Sequence, residues 1–305
     1  MHHALKAARV RPKSAYAGRS NRYARCTLVD QSVGSVHTGF GLCEIDAGGM
    51  QDLHLHSYEE GFYVVEGSPT LVFEQRGYPL MPGACGLIPV GVPHAWIGPE
   101  KGKARWLDML APQPREDGKS EHTYFLGPSG NYAQSSLDIR DPRNRHLFRV
   151  TDEDVQINKL KVGSRINPSP VSASLSTALS AFNGVAIKML VDHRLDAASL
   201  TVFMVEYQPG GKIDLHDHPF EETYYILDGE VEAVADGVRY SLKAGDLFWT
   251  GVGSVHAFHN SSDKVVRWLE TQAPQPPIRN GFRFARDWEY LKEKLVEMPT
   301  APTKI

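Results

Sequence analysis

Eight residues of metal-ligand type stand in two matching quartets: His54, His56, Glu60 and His94, then His216, His218, Glu222 and His256, each member of the second set 162 positions after its counterpart. The glycines around them repeat in step, Gly48, Gly67, Gly83 and Gly91 returning as Gly210, Gly229, Gly245 and Gly253. Two histidines two apart on a strand project from one face, so His54 and His56 can chelate a single ion. Glu60 follows after a short bend and His94 from a later hairpin, so a closed barrel turns all four side chains inward. Three neutral nitrogens and one hard oxygen suit a borderline divalent ion such as Fe(II), Mn, Ni or Zn, and suit Cu less specifically. The open positions of such a shell are where water, substrate or O2 would bind and react. A lone strand histidine is ordinarily a core or solvated residue. Two quartets in the same order reverse that reading and predict up to two divalent ions per chain, with room for one site to be catalytic and the other structural. His37, His122, His146 and His193 fall outside the pattern.

Residues of the same strand parity as the ligands line the same cavities: Phe62, Val64 and Trp96 in the first, Tyr224, Ile226 and Phe258 in the second. Phe62, Trp96 and Phe258 predict aromatic pocket walls suited to a hydrophobic or aromatic organic acid, with plain barrel core as the alternative. Tyr224 stands where the first half has Phe62. A phenolic donor there can orient substrate or stabilise developing negative charge, which makes Tyr224 the candidate catalytic side chain and favours the second site for the chemistry. Glu44 and Glu206 hold equivalent places on the preceding strand and are candidate acid/base groups, against the alternative of solvated strand carboxylates. Glu59 and Glu221 neighbour the ligand glutamates but have the opposite parity, and point out of the cavity.

The elements that position these residues are short strands. Stretches rich in Val, Tyr, Phe, Ile and Trp, such as Phe62–Val65, Leu71–Glu74, Trp106–Leu110, Thr223–Leu227, Val231–Ala235, Leu247–Thr250 and Val265–Leu269, are separated by Gly or Pro. That spacing is the one found in antiparallel sandwiches and barrels. Gly48-Gly49 and Gly210-Gly211 read as turns that need positive φ. Residues 27–114 align with 189–276 without a gap, 29 of 88 positions being identical, so the unit is duplicated. Ala111-Pro112-Gln113-Pro114 returns as Ala273-Pro274-Gln275-Pro276 and marks each unit's exit. The division is 23–114 for the first barrel, 115–184 for an inter-barrel segment, 185–276 for the second barrel and 277–305 for a tail. The polar, Pro-containing segment 115–184 is long enough to need a role as a lid, an added strand or an interface. In the tail, Asp287 followed by Trp288, Tyr290, Leu291 and Leu295 predicts a short amphipathic helix with an acidic cap.

Composition narrows the partners. In 305 residues, 33 Lys and Arg stand against 36 Asp and Glu, a net charge of −3, which offers no basic field for nucleic acid or an anionic membrane. Three cysteines, Cys26, Cys43 and Cys85, without CxxC spacing suit a reducing compartment, and no transmembrane run or signal peptide is legible, so the expected address is cytoplasmic. His2 and His3 read as incidental on a frayed terminus. A small-molecule substrate remains as the expected partner.

Gly-x5-His-x-His-x3-Glu-x6-Gly followed by Gly-x5-Pro-x-Gly-x2-His-x3-Asn resembles the signature of the cupin superfamily, and each half of the chain looks like one cupin. Residues 48–67 and 210–229 match the first motif at every defined position; in the second motif Gly98 stands for Asn and Gly251 for Pro, while Asn260 is present. The resemblance implies an all-β chain of two tandem cupin (jelly-roll, double-stranded β-helix) barrels with a short C-terminal helix. Among two-domain cupins it implies a metal-dependent enzyme. The absence of an Arg just before either His pair argues against oxalate decarboxylases, and two intact quartets argue against storage proteins. An Fe(II) or Mn oxygenase acting on a small organic substrate is the leading expectation. A hydrolase, lyase, decarboxylase or isomerase is the alternative, and a metal-assisted binding protein or sensor is the reading of another class. Unpaired strand edges predict a homo-oligomer, a dimer above all.

Overall fold

The computed structural model describes residues 1–114, 122–138, 141–151, 154 and 183–276, together with the backbone of 283–284. Among these residues the regular structure is β-strand, with only short 3-10 turns beside it. The helix expected at 287–295 lies outside the described residues, as does much of 115–184.

In the first barrel one strand does most of the organising. Gly39–His56 runs for 18 residues, its first part pairing with Ser20–Val29 and Lys103–Ala111 and its last part with His94–Ile97 and Thr123–Gly127. Gly48, at φ 70°, provides the left-handed turn between these parts, a conformation costly for residues with a Cβ. The barrel closes as Lys103–Ala111 pairs with Glu59–Glu66, which pairs with Ala84–Ile88. The second barrel repeats this as two sheets, Leu247–Thr250, Glu221–Asp228, Val266–Ala273, Thr201–Tyr207 and Val185–Val191 facing Val238–Lys243, Glu230–Ala235, His256–His259 and Lys212–Asp217.

Strand alternation produces three cores. Inward residues fill each barrel, Phe62, Leu71, Trp96 and Trp106 in the first and Tyr224, Ile226, Phe248, Phe258 and Trp268 in the second. The opposite faces pack barrel on barrel through Leu28, Phe40, Leu107, Met109, Leu190, Leu200, Val202 and Leu269. Strands such as Lys103–Ala111 are therefore buried on both faces, which is why Trp106, Leu107, Met109 and Leu110 lie close together rather than in strict alternation with polar residues.

The carboxylates next to the ligand glutamates close this interface reciprocally. Glu59 accepts backbone N–H groups of Ala198, Ser199 and Leu200 at 2.6, 2.9 and 3.1 Å. Glu221 accepts Val36, His37 and Thr38 N–H at 2.7, 3.1 and 3.0 Å and the Ser35 hydroxyl at 2.6 Å. Each side chain does point away from its cavity, but into the other barrel rather than into water.

Added strands complete the arrangement. Thr123–Gly127 and Leu147–Arg149, from the segment between the repeats, pair with Leu53–His56 and with Ala84–Gly86 of the first barrel. His2–Leu5 pairs with Leu247–Thr250 of the second. The expectation of a frayed start is corrected here: the His2 imidazole meets Asp236 at 3.1 Å and lies edge-on to Tyr240. That strand also accounts for Gly251, whose N–H donates to the Met1 carbonyl at 2.8 Å, a bond proline cannot make. At Gly98 a Cβ would lie 2.1 Å from the Asp46 carbonyl, whereas Asn260 uses its amide to bind the Tyr207, Gln208 and Lys264 carbonyls.

Candidate metal centres and their surroundings

His54 and His56 reach the first cavity from the end of the long strand, Glu60 from the strand that follows, and His94 from the start of the strand paired opposite His54. All four are buried. The rings of His54 and His94 are 4.1 Å apart and those of His56 and His94 4.8 Å. Nδ1 of His54, His56 and His94 lies 2.8, 2.6 and 3.0 Å from the carbonyls of Asp52, Tyr58 and Val92. A carbonyl can only accept, so each Nδ1 carries the proton and each Nε2 presents a lone pair to the cavity. Glu60 Oε2 is 3.1 Å from His56 Nε2 and 3.8 Å from His94 Nε2. His94 Nε2 is buried with no hydrogen-bond partner, the condition of an atom arranged for an ion.

The second cavity repeats the design. His216 and His256 donate through Nδ1 to Asp214 and Ser254 carbonyls at 2.7 and 2.9 Å, and Glu222 Oε2 lies 3.0 Å from His218 Nε2 and 3.1 Å from His256 Nε2. Behind the second histidine of each pair an aromatic ring stacks, Tyr58 on His56 at 4.2 Å and Phe220 on His218 at 4.7 Å. Within each quartet His56, Glu60 and His94, and His216, His218 and His256, bring ligand atoms within 4.8 Å of one another. The donor sets fit a divalent transition metal.

Burial sets the electrostatics. It lowers His54 to about 4 and holds His94 and His216 well below the usual imidazole value, so these rings are neutral at pH 7, the form that metal ligation requires. Glu60 is raised by burial, against the pull of His56. For Glu222 burial pushes the same way, but His218 and His256 together overcome it and hold the carboxyl well below its ordinary range.

The family Cupin_2, described as a cupin domain, matches residues 41–110 and 203–271, once on each barrel and across both quartets. The chain is a two-domain cupin. Quercetin 2,3-dioxygenase of Bacillus subtilis (strain 168) is 24% identical over 237 residues, 71% of this chain and 68% of that one. Other curated relatives match over only about half their own length, 49% and 51%. Among solved structures, salicylate 1,2-dioxygenase of Pseudoaminobacter salicylatoxidans, in adducts with gentisate, superposes with a TM-score of 0.70 at 14% identity, covering 90% of this chain and 81% of that chain. Oxalate decarboxylase of Lactobacillus farciminis, in a formate complex, gives 0.60 at 15% identity, with 97% and 94% covered.

Beyond the ligands, the two cupin cavities of the chain differ. In the first, Arg25 grips Asp108 through Nε and Nη2 at 2.6 and 3.0 Å on the inner wall, beside the buried Tyr23 hydroxyl and Cys43 thiol. Gly41 makes the space: a Cβ there would lie 2.4 Å from Asp108 Oδ1 and 2.6 Å from Arg25 Nη2. The counterparts of Gly41 and Arg25 are Phe203 and Ile187, so the second barrel has a phenyl ring in that space and no guanidinium. Phe125 of the added strand lies 5.4 Å from the His54 ring and 5.2 Å from Tyr16, whose hydroxyl burial raises to about 12. Arg25, Asp108, Tyr16 and Phe125 were missed by the sequence reading, which followed only the ligand strands; the inward parity of Asp108 with Trp106 was the available signal.

The other candidates are placed as follows. Phe62 meets Trp96 edge-on at 5.4 Å and Trp96 stacks on Trp106 at 4.2 Å, all within the first core. Phe258 lies 4.6 Å from Tyr224. The Tyr224 hydroxyl donates to Glu222 Oε2 at 2.5 Å and lies 2.9 Å from His256 Nε2, among the ligands themselves. Glu44 pairs with Arg105 and Lys103 at 2.5 and 3.3 Å, and Glu206 with Arg267 at 2.7 Å, so both are engaged in ion pairs rather than with the quartets.

Proposed function

We propose that this cupin is a metal-dependent oxygenase acting on a small, carboxylate-bearing aromatic compound, and that the first barrel performs the reaction. The observation that carries this reading is the Arg25–Asp108 pair on the inner wall next to an intact His54, His56, Glu60 and His94 quartet, in space left by Gly41. Likeness of fold to a salicylate 1,2-dioxygenase seen with gentisate supports the substrate class. The sequence-level preference for the second barrel rested on Tyr224; with that hydroxyl donated to Glu222 and lying beside His256, the freer site is the first.

His54, His56, Glu60 and His94 would hold Fe(II) or Mn, which when bound would supply the means to activate O2 and substrate. Arg25, fixed by Asp108 and by the Thr27 hydroxyl, which accepts from Nη1 at 2.8 Å, presents the N–H groups left over to a substrate carboxylate; a guanidinium suits that planar anion. Phe125 and Tyr16 offer ring faces at the His54 side of the cavity. Buried walls exclude water, and the neutral, oriented imidazoles need no reorganisation when substrate arrives. A lyase or decarboxylase would use the same carboxylate anchor, as the likeness to an oxalate decarboxylase with formate allows. A binding protein would use it without turnover.

The test is oxygen uptake by Fe(II)-loaded and Mn-loaded protein across a panel of hydroxybenzoates. Stoichiometric O2 consumption that His56→Ala abolishes supports the oxygenase. Product without O2 consumption assigns a lyase, and saturable binding without product assigns the binding reading.

A further inference from the structure

We propose that the second quartet is the tightly held, structural metal site of the chain, and that Tyr224 and Gln272 are the positioning residues that make it so. Both oxygens of Glu222 are engaged: Gln272 Nε2 donates to Oε1 at 2.7 Å and the Tyr224 hydroxyl to Oε2 at 2.5 Å. All three groups are buried, Glu222 at 1% exposure, Tyr224 at 2% and Gln272 at 3%. The counterparts of Tyr224 and Gln272, 162 positions earlier, are Phe62 and Leu110, which have no polar side-chain atoms. Glu60 therefore has the imidazole contacts of its twin and neither donor.

The physical consequence follows from what an ion requires of its ligands. A carboxylate pinned at both oxygens cannot rotate out of the ligand ring, so the ion meets a finished site. An unpinned carboxylate keeps rotamer freedom and loses it on binding. Groups that hold ligands in this way are typically worth about 10- to 100-fold in metal affinity. Phe203, at the place of Gly41, is buried in the core of the same barrel. The inference holds whatever reaction the first barrel performs.

The experiment is a competitive chelator titration of the metal-stripped full chain with Zn(II), reading affinity rather than activity. The expected result is two classes of site separated by about 10- to 100-fold. His218→Ala should remove the tight class and His56→Ala the weak one. Converting the clamp to its first-barrel counterparts, Tyr224→Phe with Gln272→Leu, should bring the tight class down to the weak one. Tyr224→Phe alone, which deletes a single oxygen, carries the same test with less risk to folding. Two equal classes, loss of the tight class in His56→Ala, or tighter binding in Tyr224→Phe would each overturn the proposal, the last by showing that the phenol competes with the ion.

Discussion

At the scale of single residues, identical ligand types behave differently because their neighbours differ. Burial raises Glu60 against the pull of His56, whereas Glu222, although the buried Glu270 carboxyl interacts with it, lies between His218 and His256 and is lowered. Arg25 is the residue on which substrate choice should turn. Replacing it with Met should lower kcat/KM for a carboxylate substrate by about 10- to 100-fold, the loss expected for a charge-assisted hydrogen bond, with Lys intermediate and metal content unchanged. Steady-state kinetics alongside elemental analysis would check this, and an unchanged kcat/KM would remove Arg25 from the site. Acid should act through the buried histidines. His54 titrates near 4 when folded and near the ordinary 6.5 when unfolded, so below about pH 6.5 the unfolded chain takes up the proton first. The stabilisation from keeping that ring neutral is complete above pH 6.5 and is lost as pH falls towards 4, at about 1.4 kcal/mol per pH unit for each such histidine. His94 and His216 add to the same loss. The melting temperature of metal-free protein should therefore fall steeply between pH 6.5 and 4; a flat profile would contradict the neutral burial of these rings.

At the scale of elements, the reciprocal clasp is the feature that joins the barrels with direction as well as area. Apolar packing tolerates sliding, but Glu221 caps three successive N–H groups and a hydroxyl at one place only. Glu221→Ala should cost about 3 kcal/mol, since buried donors lose a charged partner, and should be visible as a lower urea midpoint with unchanged metal content. Gly41 belongs to the same scale, because its missing side chain is what lets one strand carry an ion pair past its neighbour. Gly41→Phe, the residue of the second barrel, should expel the Arg25–Asp108 pair from the wall and abolish substrate binding while elemental analysis still finds the full complement of metal. Retained binding would mean that the cavity is elsewhere.

At the scale of the whole molecule, two barrels related by duplication bury against each other the faces that single barrels would expose, and the chain is its own pseudo-symmetric pair. Native protein purified without chelator should carry up to two divalent ions per chain, and His56→Ala with His218→Ala should remove them all by elemental analysis. The outer edges remain: Val238–Lys243 ends one sheet of the second barrel, with Val238 46% exposed. We expect a homodimer, for which light scattering should return twice the chain mass of 33.9 kDa. Among the described residues no helix is long and apolar enough to cross a membrane.

The two His and Glu quartets and the barrel pattern were legible in the residues because they are local facts. A strand's period of two decides which side chains share a face, and a repeat of 162 residues shows that the same face was built twice. Gly48 and Gly210 were legible for the same reason, both adopting the positive φ that their turns demand. What lies opposite a face is not local. Parity turned Glu59 and Glu221 out of their cavities but could not reveal that the outside of each is the other barrel. It marked Tyr224 as inward without showing that its hydroxyl ends on Glu222 rather than in open space. Arg25 and Asp108 are 83 positions apart, and His2 pairs with Thr250 across nearly the whole chain. Such contacts depend on how strands close into barrels and how barrels dock, and only the tertiary structure decided them.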